Sequence, residues 1–395
     1  MNHLPTSAVA SSPAAASGGS RVKPHARRRF LWMVLITITA VYLLILVGGT
    51  VRATGAGMGC PDWPLCFGQL VPPTNESQLP PDWRVRYADR GYDTADFDPV
   101  KTWTEYVNRL VGATIGLLAI LTVLAARPFR REQPVVFWAS VGGLLFIAFN
   151  GWLGSMVVAS NLRPVMISAH MVGAFLVQMS FIYAVVRAAG PQALLAERHR
   201  PRVSQEPGEG ASLQSSLTAT GTPAASMQSQ GKELRDLPSW LRPLVLATLA
   251  ALTLQIILGI QIRESVDLIS RMTTDLTRDQ WIEAIPWIFL VHRSFSWVIL
   301  GLCLYLTIRV YQSPFRRTRA GLMAALLVGF TAFEMALGGA LNHLGFPVVA
   351  QPVHLLTAHL MFGLLWFLYA VLNPSFSGKQ STPPHHSKTM DFQHV

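Results

Sequence analysis

The sequence carries little charge for its length. Asp, Glu, Lys and Arg make up 13% of the 395 residues, whereas a soluble domain carries about 25%. Acidic residues are the scarcer kind, with 21 Asp and Glu against 32 Lys and Arg. Hydrophobic residues make up 51%, and the mean hydropathy is +0.35. This shortage of charge argues against a soluble domain and favours a membrane protein.

Long apolar runs give the fold class. A transmembrane helix needs roughly 20 mostly apolar residues, and runs of that length occur eight times. The sequence therefore predicts an all-α integral membrane protein with eight transmembrane helices. The predicted spans are residues 30–52, 104–126, 135–159, 164–188, 241–262, 286–310, 320–342 and 350–372.

The net charge of +11 reflects topology and not nucleic-acid binding. Basic clusters lie between spans on one predicted side of the membrane, and the longer loops of the other side hold most acidic residues. This is the positive-inside pattern, which puts both termini in the cytoplasm. The basic clusters are residues 27–29, 127–131, 198–202 and 315–319.

The chain divides into two halves of four predicted helices, at residues 30–188 and 241–373. A Ser-, Gln- and Gly-rich stretch at 189–240 is typical of a disordered cytoplasmic linker. Residues 374–395 have a similar composition and form a predicted cytoplasmic tail. Residues 1–29 lack acid and are rich in Ala, Ser and Arg. We interpret them as a bacterial cytoplasmic tail in the cell inner membrane; the alternative is a transit peptide for the mitochondrial inner membrane.

The two halves are related by a repeat at a constant offset of 184 residues. GGTVR at 48–52 also resembles GIQIR at 259–263, at a different offset that the linker absorbs. The pattern predicts two pseudo-symmetric four-helix bundles with the same orientation in the membrane. The matched pairs are Trp103 and Trp287, Asn108 and His292, Arg109 and Arg293, Phe149 and Phe333, Gly154 and Gly338, and His170 and His354.

His292 and His354 are predicted to lie at the same depth, each about 10 Å inside the outer end of its helix. A histidine within a span indicates a functional site. Two at matched depth on different helices suit the two axial positions of a heme iron. The alternative is a pair of histidines that only make hydrogen bonds between helices.

Four arginines near outer helix ends, two in each half, suit the anionic propionates of a heme. Arginine binds carboxylates through a bidentate fork, so two per half match one heme per half. The alternative is that these side chains extend to lipid headgroups. The four are Arg52, Arg109, Arg263 and Arg293.

The outer loop at residues 53–102 contains Cys60 and Cys66, and the remaining cysteine, Cys303, lies within a span. An oxidising exterior permits a Cys60–Cys66 disulfide, and two cysteines are too few for a structural zinc site. The pair is either a static crosslink or a redox-active pair that exchanges with a partner.

Four motifs together resemble the heme A synthase family over nearly all of residues 30–373 except the linker. That family is an eight-helix membrane enzyme built from two four-helix halves, and it oxidises the C8 methyl group of heme O to a formyl group. The product, heme A, serves terminal cytochrome oxidases. The resemblance implies heme O synthase and an electron donor as partners. The motifs are GGTVRATGAGMGCPDWPLCFGQLVPP, EYVNRLVG, LVHR and QPVHLLTAHL.

By the same resemblance, the C-terminal half holds a heme b cofactor between His292 and His354. The N-terminal half is the substrate site, where His170 would belong, and Glu105 matches a catalytically important glutamate. The arginines divide in the same way: Arg263 and Arg293 with heme b, Arg52 and Arg109 with the substrate heme.

The chain departs from the usual family pattern at Asn108, where a histidine is more common. Asparagine is a poor iron ligand, so the substrate heme could keep an open position for oxygen. The alternatives are that Asn108 only makes a hydrogen bond between helices or that it binds a water near the iron. The half with Asn108 also has Glu105, whereas the other half has Phe289 at that point. Glu105 would move protons or stabilise positive charge on the reacting carbon, or it would only pair with Arg109 at i+4.

Two other functions fit part of the pattern. A cytochrome b-like electron carrier explains the histidines but not the unequal halves. A non-enzymatic heme carrier or oxidase assembly factor explains the arginines but has less use for a site closed by two histidines.

Overall fold

The computed structural model describes residues 22–190, 238–272, 280, 281, 285 and 287–373. Most of the predicted tail 1–29, most of the linker 189–240 and the tail 374–395 lie outside the described residues.

Eight long helices confirm the predicted all-α membrane class. Each is long and apolar enough to cross a membrane, and none of the eight predicted spans was misplaced. The helices are α1 (Pro24–Ala53), α2 (Pro99–Ala126), α3 (Pro134–Ala159), α4 (Pro164–Ala189), α5 (Leu241–Met272), α6 (Ile288–Tyr311), α7 (Arg319–His343) and α8 (Ala350–Leu372).

Several helices extend beyond the predicted apolar runs because polar and proline residues start them. Proline occupies the first turn of α1 to α4, where its missing N–H removes no helical hydrogen bond. Asp98 caps α2 by accepting the backbone N–H groups of Val100 and Lys101. The largest extension is at the end of α5, which continues past the predicted residue 262.

The helix contacts form two closed rings of four. In the first, α1 packs on α2, α2 on α3, α3 on α4, and α4 back on α1; α5 to α8 close the second ring in the same order. The structure therefore contains two four-helix bundles, and the finer expectation of an internal repeat between them stays a prediction. Large buried side chains fill the bundles: Phe30, Phe129 and Phe181 in the first, Leu306, Leu327 and Leu365 in the second.

Helix α8 is the centre of the contact between bundles. It packs on α1 and α4 as well as on α5 and α7. In the most apolar 18-residue stretch of α8, 56% of the residues are buried, against 22% in that of α1. Polar contacts occur here too: His359 lies 2.6 Å from the Gln178 amide nitrogen, and the Trp366 indole donates to the Met179 carbonyl at 2.9 Å. The two bundles are thus joined by a packed, partly polar surface.

Candidate functional site

The outer loop between α1 and α2 is a small folded cap. A disulfide joins Cys60 to Cys66, as predicted. Phe67 lies beside it, fully buried, with the rings of Trp83, Tyr87, Tyr92 and Phe97 packed edge-on around it.

Two polar side chains hold the cap together. Asp62 accepts the backbone N–H groups of Phe67 and Gly68, each at 2.7 Å. Tyr92 donates to the Met58 carbonyl at 2.5 Å. Burial, followed by the nearby charge of Glu105, raises the pKa of Tyr92 above its ordinary value.

The cap sits directly on the first turns of α2. Thr102 donates its hydroxyl to the Gly59 carbonyl at 2.9 Å. A side chain at Gly59 would overlap the Lys101 backbone carbonyl, so this close approach requires glycine. The loop therefore meets the helix that carries Glu105 and Arg109.

Arg109 is committed to this loop. Its guanidinium donates to the backbone carbonyls of Asp62 at 2.6 Å, of Leu65 at 2.9 Å and of Cys60 at 2.9 Å. It also pairs with Glu105 at 2.5 Å. The four bonds make Arg109 the anchor of the disulfide loop, a role that the sequence did not reveal.

Glu105 is buried, with 3% of its surface exposed. One carboxylate oxygen pairs with Arg109, and the other accepts the Cys60 backbone N–H at 2.9 Å. The pairing with Arg109, considered above as the alternative for Glu105, is therefore present. Because the pair is buried, it holds the carboxylate in one orientation.

The other predicted residues of the first bundle lie next to glycines. The Asn108 side-chain oxygen is buried without a hydrogen-bond partner among the described residues, and a Cβ at Gly48 would lie 3.7 Å from it. His170 donates its Nδ1–H to the Asn150 carbonyl at 3.0 Å, and a Cβ at Gly154 would lie 3.2 Å from its Cε1. Nε2 of His170 is thus the nitrogen left to bind a ligand.

In the second bundle, His292 lies on α6 and His354 on α8. Nδ1 of His292 is buried without a hydrogen-bond partner among the described residues. A Cβ at Gly259 would lie 3.2 Å from His292 Cε1, and one at Gly338 would lie 3.9 Å from His354 Cε1. Each imidazole therefore lies against a glycine of the adjacent helix: His292 of α6 against Gly259 of α5, and His354 of α8 against Gly338 of α7.

His354 also contacts a carboxylate that the sequence reading missed. Its Nδ1 pairs with Oε2 of Glu334 in α7. The His354 side chain keeps 29% of its surface accessible, against 11% for Glu334.

These features fit a heme in the second bundle. Two imidazoles on different helices supply the ligands that a six-coordinate heme iron takes. Because Gly259 and Gly338 lack side chains, both imidazoles can lie close to the neighbouring helices. Clusters of three or more His, Cys, Asp or Glu suited to a bare metal ion are absent from the part of the chain that the structure describes.

Two of the four arginines share one carboxylate. Arg52 donates to Asp267 at 3.0 and 2.7 Å, and Arg263 pairs with the same residue at 2.9 Å. Arg263 also donates to the Gln351 side chain at 2.6 Å. The arginines predicted for separate halves therefore meet at the boundary between bundles, whereas Arg293 is exposed on α6.

The sequence reading overlooked three acidic residues within or beside spans: Glu264, Asp267 and Glu334. Glu264 pairs with Ser168 of α4 across the boundary between bundles. An acidic residue in a hydrophobic span is costly and marks a partner or a function. That signal was present in the sequence and would have identified Glu334 as the only acidic residue of α7.

Fold and site together define a multi-pass, all-helical membrane protein with two four-helix bundles and a disulfide-closed outer cap. The second bundle carries His292 and His354, and the first carries the buried Glu105. The chain belongs to a family described as cytochrome oxidase assembly protein, whose sequence profile matches residues 31–366.

Curated relatives agree with this assignment. The chain is similar to the heme A synthase of Shewanella oneidensis, with 31% identity over 36% of this chain and 41% of that protein. It is also similar to the heme A synthases of Allorhizobium ampelinum, at 28% identity over 39% of this chain and 43% of that one, and of Geobacillus thermodenitrificans, at 32% identity over 33% of each. The chain thus spans about two fifths or less of the length of the relatives it matches.

Proposed function

We propose that this protein is a heme A synthase, an oxidoreductase that converts the C8 methyl group of heme O to the formyl group of heme A. The observation that carries the proposal is the difference between its two bundles. The second carries His292 on α6 and His354 on α8. The first carries Asn108 and His170 at the matching positions, and in it Glu105 is buried between Arg109 and the Cys60 backbone N–H. A protein that only stored or carried heme would need no such difference.

The first bundle is the proposed substrate site. His170 presents Nε2 to the iron of heme O, because its Nδ1 is already used by Asn150. Asn108 lies at the position where the second bundle has a histidine, and its unpartnered side-chain oxygen is available to hold a water or an oxygen species. Arg52 is the proposed propionate partner, and Arg109 acts on the site by holding Glu105.

Glu105 is the proposed catalytic residue. Oxidation of a methyl group to a formyl group adds one oxygen atom and removes electrons and protons from the reacting carbon. A carboxylate fixed on both oxygens can stabilise positive charge that develops there, and it can take up a proton. The Cys60 N–H and the Arg109 guanidinium set its position.

The second bundle is the proposed cofactor site. His292 and His354 would hold heme b, with Arg263 and Arg293 toward its propionates. A heme with both axial positions filled supplies one-electron transfer. Gly259 and Gly338 would let the two imidazoles lie close against α5 and α7.

The proposed setting is the bacterial inner membrane, with both termini in the cytoplasm and the disulfide cap outside. Basic clusters at the ends of spans support this orientation, and the disulfide suits an oxidising compartment. Heme O synthase would supply the substrate, and a separate electron donor or acceptor would complete the redox balance.

Heme extraction tests the proposal. The full chain is expressed in a bacterial strain that makes heme O but lacks its own heme A synthase, and the extracted hemes are separated by chromatography. Heme A in cells with the chain, and none in cells with the empty vector, is the expected result. Absence of heme A from cells that contain folded, membrane-inserted protein would contradict it.

A second candidate function is a cytochrome b-like electron carrier. His292 and His354 favour it, because two histidines on different helices of one bundle suit a permanent electron-transfer heme. The same extraction separates the two functions: a carrier yields heme b alone, whereas the synthase yields heme A as well.

A further inference from the structure

Glu334 is a buried acidic residue that the proposed reaction does not use. It lies in the middle of α7, and 11% of its side-chain surface is exposed. A carboxylate inside a membrane span costs several kcal/mol unless it has a partner. Its partner in this structure is Nδ1 of His354 on the neighbouring helix α8.

This contact places the Glu334 carboxylate against Nδ1 of His354, which leaves Nε2 on the opposite side of the ring. An imidazole whose Nδ1–H is held by an acceptor has Nε2 left as its ligand atom. Gly338 follows Glu334 by one helical turn, and a Cβ there would lie 3.9 Å from His354 Cε1. On one face of α7, Glu334 thus contacts Nδ1 of the His354 ring, and Gly338 leaves Cε1 of that ring uncrowded.

The first bundle has the same arrangement with a different acceptor. There the Asn150 carbonyl accepts Nδ1–H of His170 at 3.0 Å, and a Cβ at Gly154 would lie 3.2 Å from Cε1. Residues 150, 154 and 170 differ from 334, 338 and 354 by the same offset of 184. The acceptor is a neutral carbonyl in one bundle and a carboxylate in the other.

We propose that Glu334 is a positioning residue that holds His354 through Nδ1 and makes it the more electron-donating of the two equivalent histidines. This rests on the proposed function, in which His354 ligates heme b. A carboxylate acceptor raises the basicity of a ligating imidazole, and a more basic ligand favours ferric over ferrous iron. Glu334 therefore lowers the reduction potential of the heme in the second bundle.

The test is a redox titration of the purified full chain with its heme. Glu334→Gln keeps the size of the side chain and removes the negative charge. We expect the variant to retain the low-spin heme spectrum. At the midpoint potential of the wild-type heme, we expect the ferrous-to-ferric ratio of the variant to be about tenfold higher. This corresponds to a rise of about 59 mV in the reduction potential for a one-electron couple. The ferric low-spin electron paramagnetic resonance signal should shift as well.

Thr331→Val is the matched control. Thr331 lies on the same helix, is buried, and donates its hydroxyl to the Leu327 carbonyl at 2.7 Å. This change removes a buried polar group of α7 without touching His354, so the midpoint should stay at the wild-type value.

Glu334→Asp covers the case in which Glu334→Gln loses its heme. Asp keeps the carboxylate on a shorter side chain. We therefore expect Glu334→Asp to retain more heme than Glu334→Gln and to keep a reduction potential closer to that of the wild type. Equal loss of heme in Glu334→Asp and Glu334→Gln would overturn it. A heme-loaded Glu334→Gln with an unchanged midpoint would also overturn it and reduce Glu334 to a structural partner.

Different results would overturn the assignment of His354 as a heme ligand and the role of Glu334. If His354→Ala keeps the low-spin spectrum, His354 is not a ligand, and both the cofactor assignment and this inference are wrong. If heme A is made, His354→Ala loses the spectrum and Glu334→Gln changes nothing, then only this inference is wrong.

Discussion

Cys60 donates its backbone N–H to Glu105 Oε2 at 2.9 Å. This bond connects the disulfide loop directly to the carboxylate proposed to act on the substrate. Arg109 closes the network, because it binds the other Glu105 oxygen and three loop carbonyls, including that of Cys60. The cap and the start of α2 therefore form one unit, and a change in either should be felt at Glu105.

Glu105→Gln should lower heme A formation by about 10²–10⁴-fold, the usual effect of removing a general acid–base group. The variant should still bind heme O and retain heme b, because the second bundle has Phe289 at the matching position and needs no charge there. Heme extraction and the visible spectrum of the purified protein measure both quantities.

Because the Glu105–Arg109 pair is buried, Glu105→Gln could also destabilise the protein, so its stability must be measured together with heme A formation. Breaking a buried pair costs about 3–5 kcal/mol, so a thermal unfolding curve must show that the variant is folded. Asp98→Asn is the control, since Asp98 caps the same helix without touching Glu105. Near-normal heme A output from folded Glu105→Gln would remove Glu105 from the mechanism.

The double variant Cys60→Ser, Cys66→Ser should lower heme A formation while keeping heme b. Without the crosslink, the loop loses the constraint that keeps the Cys60 N–H against Glu105. Mass mapping of the wild type without reductant should recover a linked Cys60–Cys66 peptide. Wild-type heme A output from the double variant would show that the crosslink does not support the site.

His292→Ala or His354→Ala should each abolish the low-spin heme spectrum, since either removes one of two axial ligands. His343→Ala is the control, because His343 lies exposed at the end of α7 in the same bundle. The measurement is the absorption spectrum of dithionite-reduced protein per mole of chain. An unchanged spectrum in both ligand variants would refute the assignment.

Gly259→Leu should reduce heme content in the second bundle. A Cβ at this position would already lie 3.2 Å from His292 Cε1, and three further carbons would enter the space beside the imidazole. Gly301→Leu serves as control, because a Cβ there meets nothing within 4 Å. Equal heme content in the two variants would mean that the space beside His292 holds no ligand.

Asp267→Asn should destabilise the protein more than loss of an exposed pair does. Asp267 sits between Arg52 and Arg263 with 22% of its side chain exposed, and hydrogen bonds to charged groups contribute about 1.5–3 kcal/mol. Asp82→Asn breaks the Asp82–Arg86 pair, whose side chains are 56% and 50% exposed, so its effect should be about 0–1 kcal/mol. Thermal unfolding in detergent compares them, and equal effects would contradict the expectation.

The helices and their order could be predicted from the sequence, because a backbone in lipid must satisfy its hydrogen bonds within each segment. Length and hydropathy alone then locate a span. The end of α5 escaped this reading, since its last turns carry Glu264 and Asp267 and continue beyond the apolar run. The cysteine pair was also predictable, because both residues lie in one short loop.

Hydropathy along the sequence determined the eight membrane helices and their division into two groups of four. The sequence also showed that the two groups differ at matching positions, with Glu105 and Asn108 in the first and Phe289 and His292 in the second. Only the tertiary structure decided which charges meet. Arg52 and Asp267 are 215 residues apart in the chain, and His354 meets Glu334 only because α7 packs on α8. Helix formation depends on neighbours within four residues, whereas such pairings depend on how whole helices pack, which local hydropathy does not encode.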